Sequence, residues 1–191
     1  MDANVFFSRT LRDWLALIYL SERAKLFEVR WTEDILAEVI YRLRRKYPHL
    51  GGRQIDAVRT KVVATFEVGK FIDYVVDESV NVPDVADAHV HSAAVHCGAH
   101  ILLTDNVKDF APADDALNTL PYEVFDADSF FVMIDDAAPD VVEDAVRQQL
   151  DYYRRIRPRE NVKLPERLRA ARAPRFAERV DRHVRSIESG L

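Results

Sequence analysis

Apolar residues recur at helical spacing through most of the chain and gather into short unbroken runs at only a few places. Leu11, Trp14, Leu15, Ile18 and Leu26 keep a helical period behind Ser8, whose hydroxyl can cap a backbone N–H, and predict a helix from Ser8 to about Leu26. Thr32 is placed to cap a second helix, with Glu33 and Asp34 at its positive end and Ile35, Leu36, Val39, Ile40 and Leu43 as its buried stripe. Gly51-Gly52 breaks the pattern, after which Ile55, Val58, Val62 and Phe66 predict a third helix. Phe71–Val76 is apolar and β-branched enough for a strand. After Pro83 a helix from about Asp84 to Cys97 is expected to stop at Gly98, a residue suited to a left-handed C-terminus. Ile101-Leu102-Leu103 then has the continuous apolar character of a buried parallel strand, and Tyr122–Phe125 reads as another short strand.

Strands alternating with helices predict an α/β fold with a parallel, doubly wound sheet flanked by helices. From Ser129 onward the pattern is helical only: Pro139 opens a helix to about Arg155, and Pro158, Pro165 and Pro174 divide the remainder into shorter pieces. The domain boundary is placed near residue 135, giving an α/β domain over 1–135 and a helical, basic extension over 136–191.

Charge sharpens that division. The net charge is −5, but residues 151–191 hold 12 Lys or Arg against 6 Asp or Glu, while the first 150 residues hold 15 against 26. The tail could serve self-association, polyanion binding or a solvated helix. The single cysteine, Cys97, excludes an intrachain disulfide and a cysteine zinc cage, and suits a reducing cytosol. No run approaches the roughly 18 apolar residues of a membrane span, and the N-terminus lacks the layout of a secretory signal. A cytoplasmic protein without a membrane partner is expected.

The candidate chemistry lies in scattered acids. Ligands of doubly wound sheets bind beyond the carboxyl ends of the strands, where distant residues converge. Asp2 lies just before the first helix, and Glu38 sits at the edge of the second helix's apolar stripe. Asp87 falls in the first turn of the helix after Pro83, Asp105 directly follows the Ile101–Leu103 strand, and Asp109 is four residues further. Carboxylates gathered at one point repel unless a cation neutralises them. Oxygen ligands without cysteine favour a hard ion such as Mg²⁺ or Mn²⁺, which activates water for attack on a phosphodiester. Individually each acid has a structural explanation as a terminal charge, solvated helix residue, cap or turn former.

Three stretches resemble the PIN-domain family, and specifically VapC-like toxins. Asp2-Ala3-Asn4-Val5 resembles its opening Asp-x-Asn/Ser motif, and Thr32–Val39 resembles the segment carrying its helical Glu. The most specific block is Pro83–Asp87 through Ala93-Ala94, followed by Leu102-Leu103-Thr104-Asp105-Asn106-Val107-Lys108-Asp109-Phe110. The resemblance implies a three-layer PIN-like fold and a Mg²⁺- or Mn²⁺-dependent ribonuclease, frequently restrained by a cognate antitoxin and often dimeric. It implies metal ligation by Asp2, Glu38 and Asp87. The fourth acid is Asp109, or Asp105 as second choice, because the family's nearer slot holds Asn106. Asn4 and Thr104, with Asn106, would orient the carboxylates. Family members carry a strand before the first Asp, whereas here only Met1 precedes it; a misassigned or shortened start, or a substitute strand at Val5-Phe6-Phe7, would account for the difference. That departure and Asn106 support an alternative, a catalytically degenerate PIN fold that binds RNA or protein. A haloacid-dehalogenase-type phosphatase is disfavoured because Asn4 occupies the place of its second Asp.

Arg9, Arg12 and Arg45 are candidate RNA-phosphate contacts, Arg45 within the cluster Arg42, Arg44, Arg45 and Lys46. Tyr152, Tyr153 and the Arg154–Arg159 run could stack RNA or pack against the body or an antitoxin. His89 and His91 fall on different helix faces, which makes joint metal binding from that helix unexpected.

Overall fold

The structure, a computed structural model, describes residues 1–76, 87–110, 120–156 and 163–190. It divides into two compact units: Met1–Phe7 with Glu28–Asp126, and Ser8–Phe27 with Ala127–Leu191. Pro83, Asp84 and Pro158 lie outside the described residues.

The first unit holds α1 (Ala3–Phe7), α3 (Glu33–Lys46), α4 (Gly52–Thr65), α5 (Ala88–His96), β1 (Ile101–Leu103), α6 (Val107–Phe110) and β2 (Glu123–Phe125). Strands β1 and β2 pair in parallel, with Ile101 opposite Glu123 and Leu103 opposite Phe125. Leu102 and Leu103 are buried, as the apolar run requires. Thr32 caps α3, its hydroxyl accepting from the Ile35 N–H at 3.3 Å, and Ile35, Leu36, Val39 and Leu43 form the buried stripe. Gly98 ends the α5 region at φ +63°, the left-handed conformation that favours glycine.

Two local expectations are corrected. Val5-Phe6-Phe7 is part of helix α1, not a substitute strand; Val5 and Phe6 are buried and Phe6 packs on Phe66 with ring centroids 5.6 Å apart. Residues 71–76 form no strand, because ladder pairing stops at an isolated parallel bridge between Trp31 and Lys70. Phe71 N–H donates to Trp31 C=O at 2.8 Å, but beyond it Ile72 and Val75 are exposed. β-Branched composition is insufficient where, among the described residues, no neighbouring strand takes up the backbone groups. The bridge is anchored by Trp31, which is buried and donates its indole N–H to Phe66 C=O at 2.8 Å.

The second unit is helical: α2 (Arg9–Tyr19), α7 (Ala127–Ala137), α8 (Pro139–Ile156), α9 (Leu164–Ala170) and α10 (Pro174–Ser189). Ser8 caps α2 as expected, accepting from the Leu11 N–H, but the helix ends at Tyr19 and not near Leu26, with Leu20 as its C-cap. The core is aromatic: Phe131 stacks on Phe176 at 4.9 Å and Trp14 meets Phe176 edge-on at 5.2 Å. Asp128 on α7 fixes the start of α10, accepting from the Phe176 N–H at 2.8 Å and the Arg175 N–H at 3.2 Å.

Candidate active site

Asp2 is held beside the carboxyl end of β1 by its own backbone, the N–H donating to Leu103 C=O at 3.0 Å. The turn that leaves β1 therefore meets the residues entering α1. Asp2 Oδ2 accepts from Asn4 Nδ2 at 2.6 Å and from the Thr104 hydroxyl at 2.6 Å. Asn4 Nδ2 also donates to Thr104 Oγ1 at 3.1 Å, and its Oδ1 accepts from the Asp105 N–H at 3.1 Å. The Asn106 N–H donates to Thr104 Oγ1 at 3.0 Å. Asp2 and Thr104 are both almost wholly buried, so the network orients one carboxylate in a region of low dielectric.

The other Asp2 oxygen, Oδ1, is buried and has no hydrogen-bond partner among the described residues. A buried carboxylate oxygen in that state carries a desolvation penalty that a cation would remove.

Glu38 lies on the partly exposed face of α3, between Arg42 and His89. Arg42, one turn on, pairs with Oε1, and His89 Nε2 on α5 stands 3.7 Å from Oε2. Oε2 too is buried without a hydrogen-bond partner among the described residues. The contact with His89 places Glu38 against the first turn of α5, and buried Asp87 immediately precedes that helix. The Asp87 carboxylate makes no capping bond to α5, although it occupies the N-cap position. Asp105 and Asp109 are half-buried, Asp109 in α6 with its N–H donating to Asn106 C=O at 3.0 Å.

The structure thus joins Asp2, Asn4, Thr104 and the Asp105–Asn106 backbone in one network, and separately joins Glu38 to the start of α5. Among the described residues no three Asp, Glu, His or Cys side chains stand close enough to hold one cation together. The donor set nevertheless suits a hard cation, since Asp2 and Glu38 each keep a buried oxygen without a hydrogen bond.

Sequence reasoning did not foresee the two groups facing Glu38. Arg42 was legible at i+4 from Glu38, the spacing of a same-face ion pair, but His89 comes from another helix and carried no such signal. His91 is a structural residue, its Nδ1 2.5 Å from the buried Tyr122 hydroxyl, and burial pushes that phenol above its ordinary pKa. Arg45 is exposed near the end of α3. Arg9 and Arg12 belong to the second unit, where Arg9 pairs with Asp13 at 3.6 Å and Arg12 is buried.

An α/β protein with buried, oriented carboxylates beyond a parallel strand defines the class. A family model described as PIN domain matches residues 1–108, more than half of the chain, and the chain belongs to that family. It therefore has the α/β nuclease-type fold of a family whose members are generally nucleases, hydrolases that commonly use divalent metals, and whose domain suggests RNA binding. The matched span contains Asp2, Glu38, Asp87 and Asp105 and ends one residue before Asp109. No curated protein and no solved structure matches the chain. Among the described residues no helix is long and apolar enough to cross a membrane.

Proposed function

We propose that the protein is a divalent-metal-dependent endoribonuclease, hydrolysing RNA phosphodiesters as the toxin of a cytoplasmic toxin–antitoxin pair. Mg²⁺ or Mn²⁺ is held by Asp2, Glu38 and Asp87, with Asp109, or Asp105 in its place, as the fourth acid. The observation that carries the reading is Asp2: Oδ2 is fixed by Asn4 and Thr104 while buried Oδ1 is left without a hydrogen bond.

When bound, the metal would lower the pKa of its water and offset charge on the scissile phosphate. The chain's own residues do the rest. Asn4 and Thr104 keep Asp2 in one rotamer, Asn106 locks Thr104 through its N–H, Arg42 pairs with Glu38 and His89 stands against its other oxygen. A cognate antitoxin and a homodimer complete the reading as partners.

The test is calorimetric Mn²⁺ binding together with cleavage of single-stranded RNA, for the wild type and for Asp2→Asn, Glu38→Gln and Asp87→Asn. Each substitution is expected to reduce cleavage by at least about 100-fold, because loss of even an outer-shell group costs about 10–100-fold. A wild type that neither binds Mn²⁺ nor cuts RNA overturns the enzyme. It leaves the second reading, a degenerate PIN fold that binds RNA or protein, which draws on the missing three-acid group among the described residues.

A further inference from the structure

Helix α3 does more than carry Glu38. Counted at 100° per residue, Tyr41, Arg42 and Arg45 at i+3, i+4 and i+7 all lie within about 60° of Glu38 on one face of the helix. That face is open: Tyr41 is 63% exposed, Arg45 is exposed and Glu38 and Arg42 are half-buried. The adjoining stripe of Ile35, Leu36, Val39 and Leu43 is buried, so the rotation of the helix, and with it the exposed face, is fixed by the core.

The cations of α3 are not equivalent. Arg42 is committed to Glu38, and Lys46 lies over the rings of Phe7 and Tyr47 at 5.2 and 5.6 Å. Among the described residues Arg45 has no carboxylate partner and the Tyr41 ring has no aromatic or cationic neighbour. An open aromatic face and a guanidinium with no carboxylate partner among the described residues, both within two helical turns of a candidate catalytic carboxylate, suit a base that stacks and a phosphate that pairs.

We infer that the Tyr41–Arg45 face of α3 is a track for single-stranded RNA, with Tyr41 stacking a nucleobase and Arg45 pairing with a phosphate as the strand leaves Glu38 toward the C-terminal end of α3. The inference rests on the ribonuclease reading. A continuous strand passing Glu38 must follow some surface outward, and this face is joined to Glu38 and offers Arg45, which has no carboxylate partner among the described residues. Arg44, by contrast, points about 120° away from Glu38.

The experiment uses the full chain in the Asp87→Asn background, which leaves the strand uncut, and measures fluorescence anisotropy of a short labelled single-stranded RNA with Mn²⁺ across a salt series. Tyr41→Ala is expected to weaken binding about tenfold or more with the salt slope unchanged. Arg45→Gln is expected to weaken binding and to lower the slope of log K against log salt by about 0.7, the release from one single-strand phosphate. Arg53→Gln, an exposed arginine on α4, should change neither. Both test variants sit on the surface, and unchanged circular dichroism checks their fold. If Tyr41→Ala and Arg45→Gln bind RNA like their parent, the track is wrong while the nuclease reading stands, and the face is protein-docking or merely solvated surface. If no variant binds RNA and the wild type cuts none, both fail together.

Discussion

Replacing Thr104 by Val tests whether the Asp2 network is a strong, fully made one. The residue is fully buried and of nearly the same size as Val, so the change removes a hydroxyl and little volume. That hydroxyl donates to Asp2 Oδ2 at 2.6 Å and accepts from Asn4 Nδ2 at 3.1 Å and the Asn106 N–H at 3.0 Å. A hydrogen bond to a charged group contributes about 1.5–3 kcal/mol, and a buried N–H left unsatisfied costs about 1–3 kcal/mol. Asn4 still holds Asp2 from the other side, so the loss is expected in the lower part of the sum, about 2.5–4 kcal/mol. The assay is urea unfolding followed by tryptophan fluorescence in a Trp14→Phe background, where Trp31 reports the first unit alone. Thr104→Ser keeps the hydroxyl and should lose about 1 kcal/mol at most, the contribution of one methyl group. A Thr104→Val variant no less stable than Thr104→Ser would refute the reasoning, because the hydroxyl would then be dispensable. Amide exchange gives a local readout, with Asn106 expected to lose protection in Thr104→Val alone.

Gly69→Ala should destabilise the first unit by about 3 kcal/mol, the upper end of overpacking costs, measurable as a fall in the midpoint of Trp31-monitored unfolding. The added Cβ would stand 1.6 Å from Val29 O and 2.8 Å from Val29 C, backbone atoms that cannot move without breaking the Trp31–Lys70 bridge. Tyr122→Phe removes the bond to His91 Nδ1 and should cost about 1 kcal/mol at neutral pH. Because burial raises the folded phenol's pKa, the stability contributed by its neutral form is complete below the unfolded value of about 10 and lost as pH rises through the folded one. Phenolate absorbance should therefore show one tyrosine ionising only as the wild type unfolds in alkali, and Tyr122→Phe should abolish that late step.

Caps and periodicity were legible because they depend on neighbours in the chain. Ser8 and Thr32 each satisfy an N–H three residues away, and the α3 stripe repeats within one helix, so the sequence alone located these features. The Ile101–Leu103 strand and the glycine stop at Gly98 were readable for the same reason. Residues 71–76 were misread because strand formation depends on a partner elsewhere, and among the described residues the pairing does not extend past the Trp31–Lys70 bridge and the Phe71 bond to Trp31. Val5–Phe7 was open to the opposite error, since a three-residue apolar run is compatible with helix or strand until packing on Phe66 decides. The acids could be nominated from their order along the chain, but not their environments. That Asp2 shares a network with Thr104, a hundred residues away, is set by the meeting of α1 with the end of β1. That Glu38 faces His89, fifty-one residues on, is set by the tertiary approach of the start of α5 to Glu38, and that Arg12 is buried away from solvent is set by the core of the helical unit. Local bonding rules fix the elements from sequence; burial and charge pairing belong to tertiary contacts, because their energies depend on which distant groups replace water.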